Sequence, residues 1–131
     1  MELILWRHAE AQLLQDAQRD ADRPLTRKGE RQARRMAEWL DQRLPPSTRI
    51  LVSPALRTQQ TAQALERRFK TVVALAPGRS ADELLAAARW PTSDEPVLVV
   101  GHQPTLGIVA SRLLAGSEAY GAFIHEAHHA A

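Results

Sequence analysis

Residues 2–10 read Glu2-Leu3-Ile4-Leu5-Trp6-Arg7-His8-Ala9-Glu10, an apolar run that ends without a spacer in an arginine and a histidine. The run Glu2–Trp6 is too short for an ordinary helix and does not alternate apolar with polar. That is the pattern of a strand buried on both faces of a sheet. Three more runs share it: Arg49–Val52, Thr71–Leu75 and Val97–Val100, each four or five residues long. Helical patterns fill the gaps. Ala33, Met36, Ala37, Leu40 and Leu44 recur at helical spacing until Pro45-Pro46 stops them. Ser53-Pro54 reads as an N-cap followed by proline at the first helical position, and Thr58, Ala62, Leu65 and Phe69 give that helix one face. Ser80-Ala81-Asp82-Glu83 fits a capping box, and a last helix is expected over about Thr105–Ala115 with Gly116 as its C-cap. Strands alternating with helices predict an α/β class with a largely parallel sheet.

The 131 residues predict one domain over 1–131. The chain has no cysteine, which excludes a disulfide framework, a thiolate-held zinc and a thiol nucleophile. No stretch approaches the roughly 18–20 apolar residues of a membrane span, and no signal-peptide pattern opens the chain, so a cytoplasmic protein away from membranes is expected. Aromatic residues make up only 5%, which argues against a base-stacking surface for nucleic acid. Net charge is 17 − 15 = +2, but only Lys28 and Lys70 are lysines and the other cations are arginines. Arginine grips planar or tetrahedral anions better than lysine does. Along the sequence the arginines form no single block, so position must decide which ones do so. The polar segment Ala17–Pro24 reads as a loop over one end of the sheet.

Ligands of open parallel sheets sit at the carboxyl ends of the strands. Arg7-His8 follows the first strand, Ser53-Pro54-Ala55-Leu56-Arg57 the second, and Gly101-His102 the fourth. Two arginines and two histidines therefore converge on one sheet edge. Forked guanidinium donors, with helix N-termini expected near Pro54 and Pro104, make an anion site for which phosphate is the natural ligand. There is no Gly-rich phosphate loop and no acidic metal cluster in the sequence, so no metal or other cofactor is expected. An imidazole facing phosphorus under those conditions points to nucleophilic catalysis through a phosphohistidine.

These residues resemble the histidine phosphatase superfamily. Leu5-Trp6-Arg7-His8-Ala9-Glu10 is similar to its Arg-His-Gly signature, and Leu25-Thr26-Arg27-Lys28-Gly29-Glu30-Arg31-Gln32-Ala33 to its second stretch. Leu51 to Ala62 resembles the third and Val100-Gly101-His102-Gln103-Pro104 the fourth, in family order and covering about residues 1–116. The short form, with Arg23-Pro24-Leu25-Thr26 soon after the histidine, looks most like SixA-type phosphohistidine phosphatases. The resemblance implies a three-layer, phosphoglycerate mutase-like sandwich without a large lid and with further β-structure after the last helix; the residues from Ser117 on do not carry that pattern, so curtailed C-terminal strands are expected. The resemblance implies that His8 is the nucleophile, that Arg7 and Arg57 hold the phosphoryl oxygens, that His102 adds a hydrogen bond, and that Arg23 is a further phosphate contact. Two departures stand out. Ala9 replaces the usual glycine, and the third run ends in Ala74-Leu75-Ala76-Pro77-Gly78-Arg79 with no carboxylate to act as proton donor. Asp20, at the position resembling the short branch's loop acid, is the expected donor, ahead of Asp22.

After Gly116 the periodicity fades apart from an apolar patch at Tyr120–Ile124, and His125, His128 and His129 read as a polar terminus rather than metal ligands. Three functions fit the sequence. The leading one is a phosphatase acting on phosphohistidine in a phosphotransfer domain or phosphocarrier, with a phosphate or sulfate ion able to sit in the site. The others are a small-molecule phosphomonoesterase and a phosphate-binding module with vestigial catalysis. A site without a lid suits a protein surface better than a small metabolite.

Overall fold

The computed structural model describes residues 2–115 in full and 122–126 as backbone. Five strands form one sheet: β1 (Leu3–Arg7), β2 (Arg49–Val52), β3 (Lys70–Thr71), β4 (Val97–Gly101) and β5 (Ala122–Glu126). Their spatial order is β3-β2-β4-β1-β5 and every pairing is parallel. The helices are α1 (Arg27–Asp41), α2 (Leu56–Gln63), α3 (Ala81–Ala88) and α4 (Thr105–Ala115).

The period-2 geometry of a strand divides each apolar run between two cores. Ile4, Trp6, Ile50, Val52, Leu98 and Val100 face α1 and α2, meeting Ala33, Met36, Ala37, Leu40 and Ala62. Leu3, Leu5, Leu51, Val97 and Val99 face α3 and α4, meeting Leu84, Ala88, Leu106, Val109 and Leu113. The result is three layers, helices on both faces of a sheet, as the unbroken apolar runs predict. Burying each such aliphatic side chain contributes roughly 1.5–3 kcal/mol.

The register sets the site. Arg7 pairs with Gly101 and Val52 with Val100, so β1, β2 and β4 end at nearly one level. The His8 N–H donates to the Gly101 carbonyl and the Ser53 N–H to that of Val100, extending the ladder to the first residue past β1 and β2. α1 is capped by the Thr26 hydroxyl, which accepts from the Gly29 N–H at 2.9 Å. Gly29 has no alternative: a Cβ there would lie 2.0 Å from the Glu10 carbonyl oxygen. That close approach seats the start of α1 against the segment that follows His8.

Three local expectations change. The run Thr71–Leu75 is a strand only at Lys70–Thr71 and then a 3-10 turn over Val73–Leu75. β2 ends at Val52, whose carbonyl still accepts the Val72 N–H at 2.9 Å, and from there the run carries Val72 and Leu75 into the α3–α4 core. The helix expected from Ser53-Pro54 starts later, with Ala55 as N-cap, and stops at Gln63; Leu65 and Phe69 still pack on the α1–α2 core. After α4, β5 pairs with the outer edge of β1, Leu3 opposite Ala122 and Arg7 opposite Glu126, so the edge is covered. The capping box of Ser80 and Glu83 forms as read. Gly116, His128 and His129 lie outside the described residues. No helix among the described residues is long and apolar enough to cross a membrane.

Candidate active site

The strand ends open into a cleft of about 570 Å³ that Arg7, His8, Arg23, Arg57 and His102 all line. His8 is fixed first by its neighbour: its Nδ1 lies 2.7 Å from the Ala9 carbonyl oxygen. A carbonyl only accepts, so Nδ1 carries the proton and Nε2 keeps its lone pair. Burial lowers the His8 pKa to about 4; the hydrogen bond to Ala9 pulls the other way, and the charges of Arg57, Arg7 and Arg23 lower it further. At neutral pH the ring is therefore uncharged, with one nitrogen ready to act as a nucleophile.

His102 is 5% exposed, and its ring centroid is 5.3 Å from that of His8. Its Nε2 lies 2.7 Å from the Ser53 hydroxyl, which also accepts from the Ala55 N–H. Nδ1 is the ring nitrogen left for a ligand. Burial, then the charge of Arg57, brings the His102 pKa to about 3.

Arg57 stands on the first turn of α2 and is 4% exposed. Its two terminal nitrogens donate to Asp20, one to the backbone carbonyl at 2.9 Å and one to Oδ2 at 3.0 Å. The same carboxylate accepts from Arg23 Nε at 3.0 Å, while Arg23 also donates to the Gln12 carbonyl. Burial works against ionising Asp20, but the hydrogen bonds and charges of Arg57 and Arg23 outweigh it and hold the carboxyl below its usual range. Asp22 is turned away, paired with Arg19. The Arg57 Nε is buried without a partner among the described residues. Arg7 makes no ion pair or side-chain hydrogen bond among them. Unused guanidinium donors beside a neutral imidazole are what an oxyanion of phosphorus requires.

Ala9 is fully buried, and its N–H donates to Thr61 Oγ1 at 3.0 Å, which in turn donates to the Arg57 carbonyl. The hydroxyl of α2 thus ties the residue after His8 to the helix that carries Arg57. Several residues that build the site carry no site role in the sequence reading. Ser53 holds His102, Thr61 holds Ala9, Gln32 accepts the Glu10 N–H through Oε1, and Lys28 lines the cleft mouth. The available signal was their position within the stretches quoted above.

Residues 3–78 match the histidine phosphatase superfamily (branch 1). Among curated proteins, the phosphohistidine phosphatase SixA of Escherichia coli (strain K12) is 32% identical over 124 residues, 88% of this chain and 76% of that protein. The phosphohistidine phosphatase SixA homolog of Haemophilus influenzae is 30% identical, over 86% of this chain and 77% of its own length. Among solved structures, the protein histidine phosphatase SixA complexed with tungstate superposes with a TM-score of 0.75 at 32% identity, covering 86% of this chain and 76% of that one.

Proposed function

Because this chain belongs to the histidine phosphatase superfamily, we propose that it removes phosphate from phosphohistidine on a partner protein through a covalent intermediate on His8. The observation that carries the reading is the fixed tautomer of His8, Nδ1 on the Ala9 carbonyl and Nε2 free.

In the first step the Nε2 lone pair attacks phosphorus and a new N–P bond forms. The substrate's N–P bond breaks, and its electron pair returns to the substrate imidazole. That ring is protonated on its other nitrogen near neutral pH, so it leaves as neutral imidazole without a strong acid. In the second step a water oxygen attacks phosphorus on His8. The N–P pair returns to Nε2, the water loses a proton to solvent, and phosphate departs. Arg7, Arg57 and Arg23 hold the equatorial oxygens and supply the positive charge, so the mechanism calls on no metal ion. In this mechanism the Ser53 hydroxyl donates to His102 Nε2, 2.7 Å away, so that the His102 proton sits on Nδ1 as a further donor. Phosphoryl transfer is mostly positioning and charge stabilisation, and these groups supply both.

Asp20 has two settings in this scheme. While bound to Arg57 and Arg23 it is ionised and cannot donate a proton. A phosphoryl group that takes over those arginines removes its partners and adds a like charge, both of which raise its pKa. It then serves as the acid for leaving groups that need one. SixA relatives acting, by name, on phosphohistidine support the substrate class.

The test compares a phosphohistidine protein, sugar phosphates and an aryl phosphate side by side. The reading expects the highest kcat/KM on the phosphohistidine protein. A clear preference for a sugar phosphate makes the protein a small-molecule phosphomonoesterase, and binding without turnover makes it a phosphate-binding module.

A further inference from the structure

The arginines that look scattered in sequence are gathered by the fold. Helix α1 carries Arg27, Lys28, Arg31, Arg34 and Arg35, all exposed. At 100° per residue they fall within about 120° of arc, opposite the stripe that enters the core. Among the described residues none of the five makes an ion pair or a side-chain hydrogen bond, whereas Arg19, Arg23, Arg57, Arg67, Arg79 and Arg112 all do.

This face begins at the catalytic cleft. Lys28 lines the cleft, and Thr26, the cap of α1, donates to the Glu10 carboxylate at 2.8 Å. From there to Arg35 the stripe runs about 12 Å along the helix. Helical side chains lean toward the N-terminus, here the cleft end. The loop leaving cleft-lining Ala11 exposes Leu13 and Leu14, at 81% and 54%. Its base is pinned by the Ala11–Leu25 bridge and by the Gln12 N–H on the Pro24 carbonyl.

We infer that the exposed face of α1 is a docking surface for an acidic face of the phosphohistidine-bearing protein, which it steers so that the phosphohistidine enters the cleft. The inference rests on the substrate class proposed above. Glu38, one turn beyond Arg34, is the one acid of α1 on the same arc, so the five cations leave the face strongly positive. Such a face raises encounter rates with an anionic partner, and its continuity with the cleft turns encounter into delivery. The exposed leucines beside the same cleft favour a protein over a nucleic acid, since protein interfaces bury apolar side chains at their centre.

The probe is a purified histidine phosphotransfer domain with acidic residues around its phosphohistidine, and phosphoimidazole is the small control. The triple variant R31E/R34E/R35E is expected to raise KM for the domain about tenfold or more with kcat retained, while phosphoimidazole turnover stays within about twofold. Wild-type KM for the domain should rise steeply from about 50 to about 300 mM NaCl, and the variant should lose most of that dependence. If the reversal also impairs phosphoimidazole turnover, the milder R31Q/R34Q/R35Q decides by the same criteria. Unchanged KM and unchanged salt dependence would overturn the inference. So would unchanged KM accompanied by salt-sensitive binding of a DNA duplex that the reversal abolishes, which assigns the face to nucleic acid. A wild type that hydrolyses a phosphate ester but neither the domain nor phosphoimidazole removes the substrate reading itself, and the docking face with it.

Discussion

The Asp20 carboxylate stands 3.0 Å from the Arg57 guanidinium and 3.0 Å from that of Arg23, so a loop anion holds two of the cations assigned to the phosphoryl group in the proposed mechanism. Any incoming phosphate competes with it. Asp20→Asn removes the competing charge, so phosphate or tungstate should inhibit the variant at several-fold lower concentration than wild type, read from inhibition constants.

The same variant separates substrates by leaving group. An alkyl ester leaves as a strongly basic alkoxide, and its turnover should fall about 10²-fold, the usual scale of general acid catalysis, with a much smaller loss on phosphohistidine. Equal losses on both classes mean that Asp20 only positions Arg57 and Arg23. Asp22→Asn, which frees an exposed arginine, should change neither.

The pH profile follows from two histidines, half-buried His8 and buried His102. Their pKa values lie at about 4 for His8 and about 3 for His102, below the ordinary 6.5. The proposed mechanism uses both uncharged, so kcat/KM should hold as pH falls through 6.5 and drop only near 4. Stability has the matching sign. Between 6.5 and about 4 the unfolded chain takes up protons on these histidines and the folded one does not. Each therefore favours folding above 6.5 and progressively less as pH falls. A rate profile with its acid limb near 6.5 contradicts the burial argument.

How much of this was legible in the sequence depends on what each residue answers to. Arg7, His8 and His102 could be placed because an unbroken apolar run marks a strand and the next residue then stands at its carboxyl end. Arg57 followed from a helix start whose exact residue did not matter. The third strand is shorter than its apolar run because such a run states burial, not pairing: pairing ends with the Val72 N–H on the Val52 carbonyl, and Leu75 belongs to the core alone. Ser53 was read as a cap because Ser-Pro has that local meaning, while its hydroxyl serves a histidine 49 positions away. The basic face of α1 stayed hidden because five cations over nine positions become one surface only once the helix phase is fixed.

Ser53 therefore carries its own prediction. Ser53→Ala leaves His102 Nε2 without its partner in a buried place, which should cost about 1–3 kcal/mol of stability. With the ring no longer held, kcat should fall about tenfold while KM changes little, the pattern of a donor used mainly in the transition state. Thermal melts and steady-state kinetics read the two effects separately.

Gly29→Ala tests how the site is seated. Its Cβ would meet the Glu10 carbonyl oxygen at 2.0 Å, and backbone rather than a flexible side chain must move. A loss of about 1–3 kcal/mol or more is expected, with reduced activity because the displaced segment follows His8 directly. Full activity at unchanged stability would show that this contact is not what seats α1.

The most direct measurement is a rapid acid-free quench of the enzyme during turnover of radiolabelled phosphohistidine protein, followed by peptide mapping. The account predicts base-stable, acid-labile phosphate on His8, absent from a folded His8→Ala variant that also has no turnover. Label on any other residue, or full turnover by His8→Ala, would contradict it.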